Sequence, residues 1–279
     1  MKMINIIAEL LSYTFITRAL LVGILVSLCA SILGVSLVLK RYSMIGDGLS
    51  HVGFGSLSIA MAFNLAPLQV SIPIVVLAAF FLLRISESSK IKGDAAIALI
   101  SSSSLAIGVI VTSLTTGMNT DVCNYMFGSI LAMQKSDVYL SVVLSIIVLI
   151  LYGIFYNKIF AITFDENFAK ATGIKAGRYN MLVALLTALT IVIGMRLMGA
   201  LLISSLIIFP SLTSMRIFGS FKGVIITSAI LSVICFFIGI VISFQYNIPA
   251  GASVVAVNLL AFIAASCLVA IRKIGVNSK

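Results

Sequence analysis

Charge is what this 279-residue sequence has least of. Only 9% of its residues are charged, where a soluble domain carries about 25% to keep its surface wet. A soluble enzyme is excluded on that count. Tryptophan is absent, histidine occurs once, and proline and cysteine occur four times each. Cys29, Cys123, Cys235 and Cys267 are widely spaced, lie mostly in apolar runs and form no Cys-x-x-Cys. They read as small buried hydrophobes, not as disulfides or a thiolate metal site. The chain also lacks the Gly-x-x-x-x-Gly-Lys-[Ser/Thr] loop that cradles nucleotide phosphates, so it hydrolyses no ATP by that route. It has no His-Glu-x-x-His pair and no serine–histidine arrangement, which leaves an intramembrane enzyme without machinery. No signal-peptide cleavage pattern is separable at the start, so the N-terminus is expected to be retained.

What is present is apolar sequence, 61% of the whole. A membrane-crossing helix needs roughly 20 mainly apolar residues. Runs of that kind fall near 19–39, 44–64, 66–83, 94–115, 137–157, 179–195, 197–215, 222–243 and 252–271. They are continuously apolar and do not alternate as barrel strands do, which predicts helices. The expected fold is all-α: a polytopic membrane protein of about nine spans, with eight to ten compatible with the breaks at 64–67 and near Arg196. No linker divides the chain, so residues 1–279 read as one transmembrane domain. The serine run Ser101–Ser104 inside one span reads as helix packing ahead of pathway lining.

Lys and Arg number 18 against 8 acids, a net charge of +10. In a soluble protein this would suggest nucleic acid; in a membrane protein it marks the cytoplasmic loops, and no nucleic-acid partner is expected. With a cytoplasmic C-terminus and nine alternating spans, fourteen of the basic residues fall inside. These are Lys40, Arg41, Arg84, Lys90, Lys92, Lys158, Lys170, Lys175, Arg178, Arg216, Lys222, Arg272, Lys273 and Lys279. Only Lys2, Arg18, Lys135 and Arg196 fall outside. The asymmetry predicts that orientation.

Against this apolar background, Asp47 and His51 stand out. Four-residue spacing puts them on one face of a helix, one turn apart. An aspartate near the membrane centre costs roughly 2.5–3.5 kcal/mol on insertion scales and normally faces a bundle interior or a wet path. An imidazole and a carboxylate so placed supply nitrogen and oxygen ligands for Mn²⁺, Zn²⁺ or Fe²⁺ rather than Cu(I). Two ligands do not close a site; a second copy across a dimer axis would make four. The competing reading is local: Asp47 caps a helix or satisfies His51. The distance to Lys40 and Arg41 leaves the depth of the pair open. Glycines at 46, 48, 53 and 55 favour close helix approach or irregular backbone beside a cavity.

The longest loop on the basic side, about 158–178, carries a short amphipathic helix. Asp165 and Glu166 sit at its favourable N-terminal end and Gly173 can end it. Phe164, Phe168 and Ala171 recur at helical spacing, a stripe fit either for a groove on a cytosolic partner or for the membrane surface. In a later span, Pro210 is expected to kink the helix and free a carbonyl. Ser204, Ser211 and Ser214 fall on one face with Ile207, open to two roles: lining a path or packing helices.

These three segments, in this order, resemble the membrane subunit of zinc/manganese ABC importers, the ABC-3 permease family. Gly46-Asp47-Gly48-Leu49-Ser50-His51 resembles its Gly-Asp-Ala-Leu-Ser-His signature. Residues Asp165 to Ile174 are similar to its cytoplasmic Asp-Glu-x-x-Ala-x-x-x-Gly loop. Met198-Gly199 to Pro210 and Thr213 are similar to its Gly-x-Leu-Leu-x-Ser…Pro-x-x-Thr helix. The resemblance covers roughly residues 10–270. It implies a permease in a bacterial-type plasma membrane, paired with a second copy, two cytosolic ATPase subunits and an extracytoplasmic metal-binding solute-binding protein. It makes Asp47 and His51 ligands for the transported ion, and residues 165–174, with Phe164, the coupling helix seated in the ATPase. Two departures, Phe54-Gly55-Ser56 without a proline and Gly48 for the common alanine, lean toward zinc-type members. The expected function is ATP-driven import of zinc or manganese, or iron, by alternating access, with no permanently bound cofactor. The alternative is a secondary cation/proton transporter with Asp47 and His51 as a proton relay.

Overall fold

The computed structural model describes residues 14–88, 93–115 and 135–277; Cys123 and the basic residues Lys2, Lys90, Lys92 and Lys279 lie outside them. Among the described residues the chain is helical, with no strand. The elements are α1 (Thr14–Leu39), α2 (Ile45–Ala62), α3 (Pro67–Ser88), α4 (Gly93–Leu114), α5 (Lys135–Ile154) and α6 (Tyr156–Phe164). They continue with α7 (Glu166–Ala171), α8 (Ala176–Met198), α9 (Ala200–Ile217), α10 (Phe221–Tyr246) and α11 (Ala250–Asn277). All nine expected spans correspond to a helix.

Eight of these helices are long and apolar enough to cross a membrane. The ninth, α2, is diluted by Asp47, His51 and four glycines, and it compensates by burial: thirteen of its eighteen residues are buried. Burial also sorts the others into layers. In α1 and α8, 67% of the span is buried, against 22% in α4 and 17% in α11. α1 therefore forms the centre, contacted by α5, α8, α9 and α10, while α4 and α11 sit at the periphery against α2 and α9.

Lipid tails are as apolar as leucine, so helices associate in a membrane through close approach and interhelical hydrogen bonds. α1 uses both. Its carbonyl at Ser31 accepts from the Ser211 and Ser228 hydroxyls, each at 3.3 Å, and its carbonyl at Ser27 accepts from Ser232 at 3.1 Å. The Ser36 hydroxyl meets the Tyr152 hydroxyl at 3.2 Å. At Gly34 the backbones of α1 and α9 touch, so that any Cβ would collide with the Ile207 carbonyl. The backbone at Ser104 lies against Gly55 of α2, while Ser102 and Ser103 are exposed.

The breaks are sharp. Asn64, with φ +52°, turns the chain between α2 and α3, and Gly199, with φ +84°, is the single residue between α8 and α9. α9 runs through Pro210 as one helix. The run expected near 137–157 ends earlier: α5 stops at Ile154, and Phe155 separates it from α6.

One end of the bundle gathers the α1–α2 turn, α6, α7 and the α9–α10 corner, where Phe221 stacks with Tyr156, Phe160 and Phe164. The opposite end carries Arg196 and Asp137, paired at 3.1 Å. Among the described residues, Lys40, Lys158, Lys170, Lys175, Arg178, Arg216 and Lys222 lie at the first of these ends. The central packing predicts that Gly34→Val costs about 1–3 kcal/mol or more by overpacking, read as a large loss of monodisperse protein after heating in detergent. Gly153→Ala, with open space at its Cβ, should be neutral or stabilise by about 0.5–1 kcal/mol.

Candidate functional site

α2 begins immediately after the α1–α2 turn, and Asp47 lies in its first turn. There the free backbone N–H groups favour a carboxylate. Asp47 does not cap the helix: the cap position is Met44, with no side-chain hydrogen bond. The Asp47 Oδ2 stands 3.6 Å from His51 Nε2, near enough for charge attraction but too long for a good hydrogen bond. Ser204 on α9 lies near the same carboxylate, its hydroxyl donating to the Ala200 carbonyl at 3.1 Å. Asp47 is 45% and His51 20% exposed at the side chain, on a face that continues along α9 through the exposed Leu201 and Leu212.

Depth follows from the neighbours. Ile45, just before Asp47, borders Val183 and Ala184. Gly53, just after His51, meets Met195. Both partners belong to α8, Ala176–Met198, so the pair lies alongside the middle of that helix. The glycines of α2 serve close approach with regular helical backbone: a Cβ on Gly48 would be 2.7 Å from Ile97, and one on Gly55 2.7 Å from the Ser104 carbonyl.

The pathway candidates separate. Ser204 joins Asp47. Pro210, Ser211 and Ser214 are buried within the chain, and Ser211 gives its hydroxyl to Ser31 and Ile207 carbonyls. For Ser211 the packing role is the one observed. Among the described residues no group of three or more His, Cys, Asp or Glu side chains comes together. A single chain thus brings two metal-type ligands to this face.

The loop helix α7 forms as its sequence requires. The Asp165 carboxylate accepts from the Phe168 N–H at 2.9 Å, an N-cap. At the other end Gly173, with φ +83°, donates to the Lys170 carbonyl and Ile174 to the Ala169 carbonyl. This is a Schellman closure that needs glycine at its left-handed position. Ala169 is wholly buried against Ile162 and Ala176, so only a small side chain seats α7 on α6 and α8. Phe164 and Phe168 point outward, 58% and 64% exposed, and Ala171 is exposed beside them.

Glu166 faces the other way and is held by three groups. Lys170 Nζ lies at 2.8 Å, Lys40 Nζ at 3.3 Å and Asn180 Nδ2 at 3.1 Å. Lys40 also donates to the Asn180 side-chain oxygen. Burial pushes the Glu166 carboxyl up, but the Lys170 and Asn180 hydrogen bonds and the Lys40 charge outweigh it and hold it at about 2. Lys40 sits at the turn that leads into α2. The loop helix is therefore tied directly to the segment carrying Asp47. In the sequence Lys40 marks only orientation and the depth of the Asp47–His51 pair, and nothing there singles out Asn180. The one available signal was an acid at a docking helix in need of a counter-charge.

Comparison with known proteins adds an independent observation. The model of the ABC 3 transport family matches residues 12–269. The manganese import system permease protein ScaB of Streptococcus gordonii is 30% identical over 251 residues, 90% of each chain. The high-affinity zinc uptake system membrane protein ZnuB of Buchnera aphidicola is 32% identical over 236 residues, covering 84% of this chain and 90% of that one. Among solved structures, PsaBC from Streptococcus pneumoniae in complex with Fab superposes with a TM-score of 0.84 at 30% identity, over 94% of this chain and 95% of that one. The chain is a multi-pass membrane protein belonging to the ABC 3 transport family.

Proposed function

We propose that this chain is the membrane permease of an ATP-driven importer for a divalent transition metal, manganese or zinc. The observation that carries the metal reading is the Asp47–His51 pair, set mid-bundle on an open face with Ser204 beside it. A carboxylate oxygen and an imidazole nitrogen suit Mn²⁺ or Zn²⁺. The ion is cargo, and a second copy facing the first supplies the matching pair, completing four ligands. Relatives named for manganese and for zinc both support this class. No observation favours a proton-coupled secondary transporter.

In this reading the basic end faces the cytoplasm of a bacterial-type cell, with the C-terminus on that side. A separate ATPase subunit docks on Phe164, Phe168 and Ala171, whose exposed apolar surface fits a groove. A solute-binding protein delivers metal at the opposite end. ATP-driven closure of the ATPase subunits shifts α7. Glu166 passes that shift through Lys40 to the turn before α2, and the ligand face opens alternately to each side. His51 binds metal only as neutral imidazole, so loading falls on acidification.

Asp47→Ala and His51→Ala should each abolish uptake of radiolabelled metal while the protein still inserts; normal uptake by both would remove the site. Phe168→Asp should release the ATPase in a pull-down. Glu166→Gln should leave the ATPase bound but break the ratio of metal moved to ATP hydrolysed. The folded Glu166 carboxyl lies at about 2, below its ordinary value of 4.5. Its contribution is therefore complete above about pH 4.5 and lost as pH falls toward 2. Between about pH 5 and 8 the coupling ratio of the wild type should not vary through this group, and the Glu166→Gln defect should be constant.

A further inference from the structure

Lys158, Lys175 and Arg178 line one open cavity of about 290 Å³ at the basic end of the bundle, together with Thr172 and Tyr179. Among the described residues no acidic side chain lines it. The acids nearest in sequence are already committed: Asp165 caps α7, and Glu166 is held by Lys40, Lys170 and Asn180. Lys175 occupies the N-cap position of α8 and Arg178 lies in its first turn, where cations meet the positive end of the helix dipole. Three like charges and a helix N-terminus converge on one space. Such an arrangement is repulsive until an anion enters it.

The position fixes what kind of anion. Lys158 lies one helical turn beyond Ile154, where one membrane span ends, and Lys175 directly precedes Ala176, where another begins. The cavity therefore sits at the level of lipid headgroups. Tyr179, stacked with Phe155 at 5.7 Å between ring centres, is the residue type that anchors at that level. α5, which ends one helical turn before Lys158, carries an apolar stripe: Ile154, Ile150, Ile147, Ile146 and Val143 are all exposed at helical spacing. α5 packs on α1, α6 and α8, on a different side of the bundle from the α2–α9 face that carries Asp47. The stripe thus faces lipid.

We propose that this cavity binds the phosphate of an anionic phospholipid, with an acyl chain lying along the α5 stripe. Lys158, Lys175 and Arg178, which line it, neutralise the phosphate. A free phosphate ion would satisfy the cations but make no use of the stripe. The site is independent of the transported metal and of the Asp47–His51 pair.

The test uses the full chain in its assembled complex, delipidated in a non-ionic detergent and titrated with phosphatidylglycerol in native mass spectrometry. Phosphatidylcholine of the same acyl chains and inorganic phosphate serve as the two comparison probes. One phosphatidylglycerol per chain should bind in preference to phosphatidylcholine. The triple variant Lys158→Gln/Lys175→Gln/Arg178→Gln should weaken that binding about 100-fold, since each basic group near an anionic lipid contributes about fivefold. All three side chains are exposed, so folding should persist. Removing three cations elsewhere, Arg41→Gln/Arg216→Gln/Lys222→Gln, should leave the binding unchanged. Equal loss in both triple variants, or equal binding of phosphatidylcholine, would overturn the assignment. So would phosphate binding without preference for the lipid, which makes the cavity a free-anion site. Unchanged lipid binding with loss of the ATPase in the first variant would transfer these cations to partner docking.

Discussion

The structure depends on how its central helix is held in a solvent that offers no hydrophobic incentive. Within a bilayer, moving leucine from lipid to leucine gains little, so α1 is fixed by polar and steric means. Serine hydroxyls from α9 and α10 close on its carbonyls at Ser27 and Ser31, and Gly34 lets α9 approach to backbone contact. Each such bond contributes only about 0.6 kcal/mol on average. Their value lies in register: they set which turn of α9 faces which turn of α1. With that register set, Ser204 lies near the Asp47 carboxylate and the α1 terminus delivers Lys40 to Glu166.

The second constraint is scarcity of charge. A chain with 8 acids has few to spend inside a membrane, and their positions divide the molecule into working ends. Asp137 pairs with Arg196 at one end, Asp165 and Glu166 build and anchor α7 at the other, and Asp47 lies between. The anchoring of α7 and the placing of Asp47 meet at a single lysine. In the proposed function, a partner moving α7 would act on the turn that starts α2 without needing a wire through the bundle. The aromatic cluster of Phe160, Phe164 and Phe221 stiffens the same end, so α6, α7 and the α9–α10 corner present one surface.

Much of this was legible in the sequence. Run length alone located the helices, because an apolar stretch of that size has one stable form in lipid. Asp47 and His51 were legible because four-residue spacing is a local rule and the chain has one histidine. The acidic N-terminal end of α7 and its Gly173 stop were legible for the same reason. The break at Phe155 was not, since no glycine or proline punctuates a continuously apolar run there. The division between Ser204 and Ser211 was also hidden: both fit one helical face, and only the packing of α9 on α1 sends the Ser211 hydroxyl across to Ser31 while Ser204 bonds within its own helix to Ala200. The Lys40–Glu166 pair joins residues 126 apart. Such a pair leaves no periodic trace in one sequence.

The central claim, that His51 ligates the transported ion mid-bundle, has an unusually direct test because the label can go nowhere else. Histidine occurs once in the chain, so ¹⁵N-histidine in the permease reports on that residue alone. The purified permease, reassembled with unlabelled partners and loaded with Mn²⁺, is read by pulsed electron paramagnetic resonance. The account predicts a nitrogen coupling to the bound ion that changes from ¹⁴N to ¹⁵N with the label. Bound Mn²⁺ whose spectrum is indifferent to the label would contradict it.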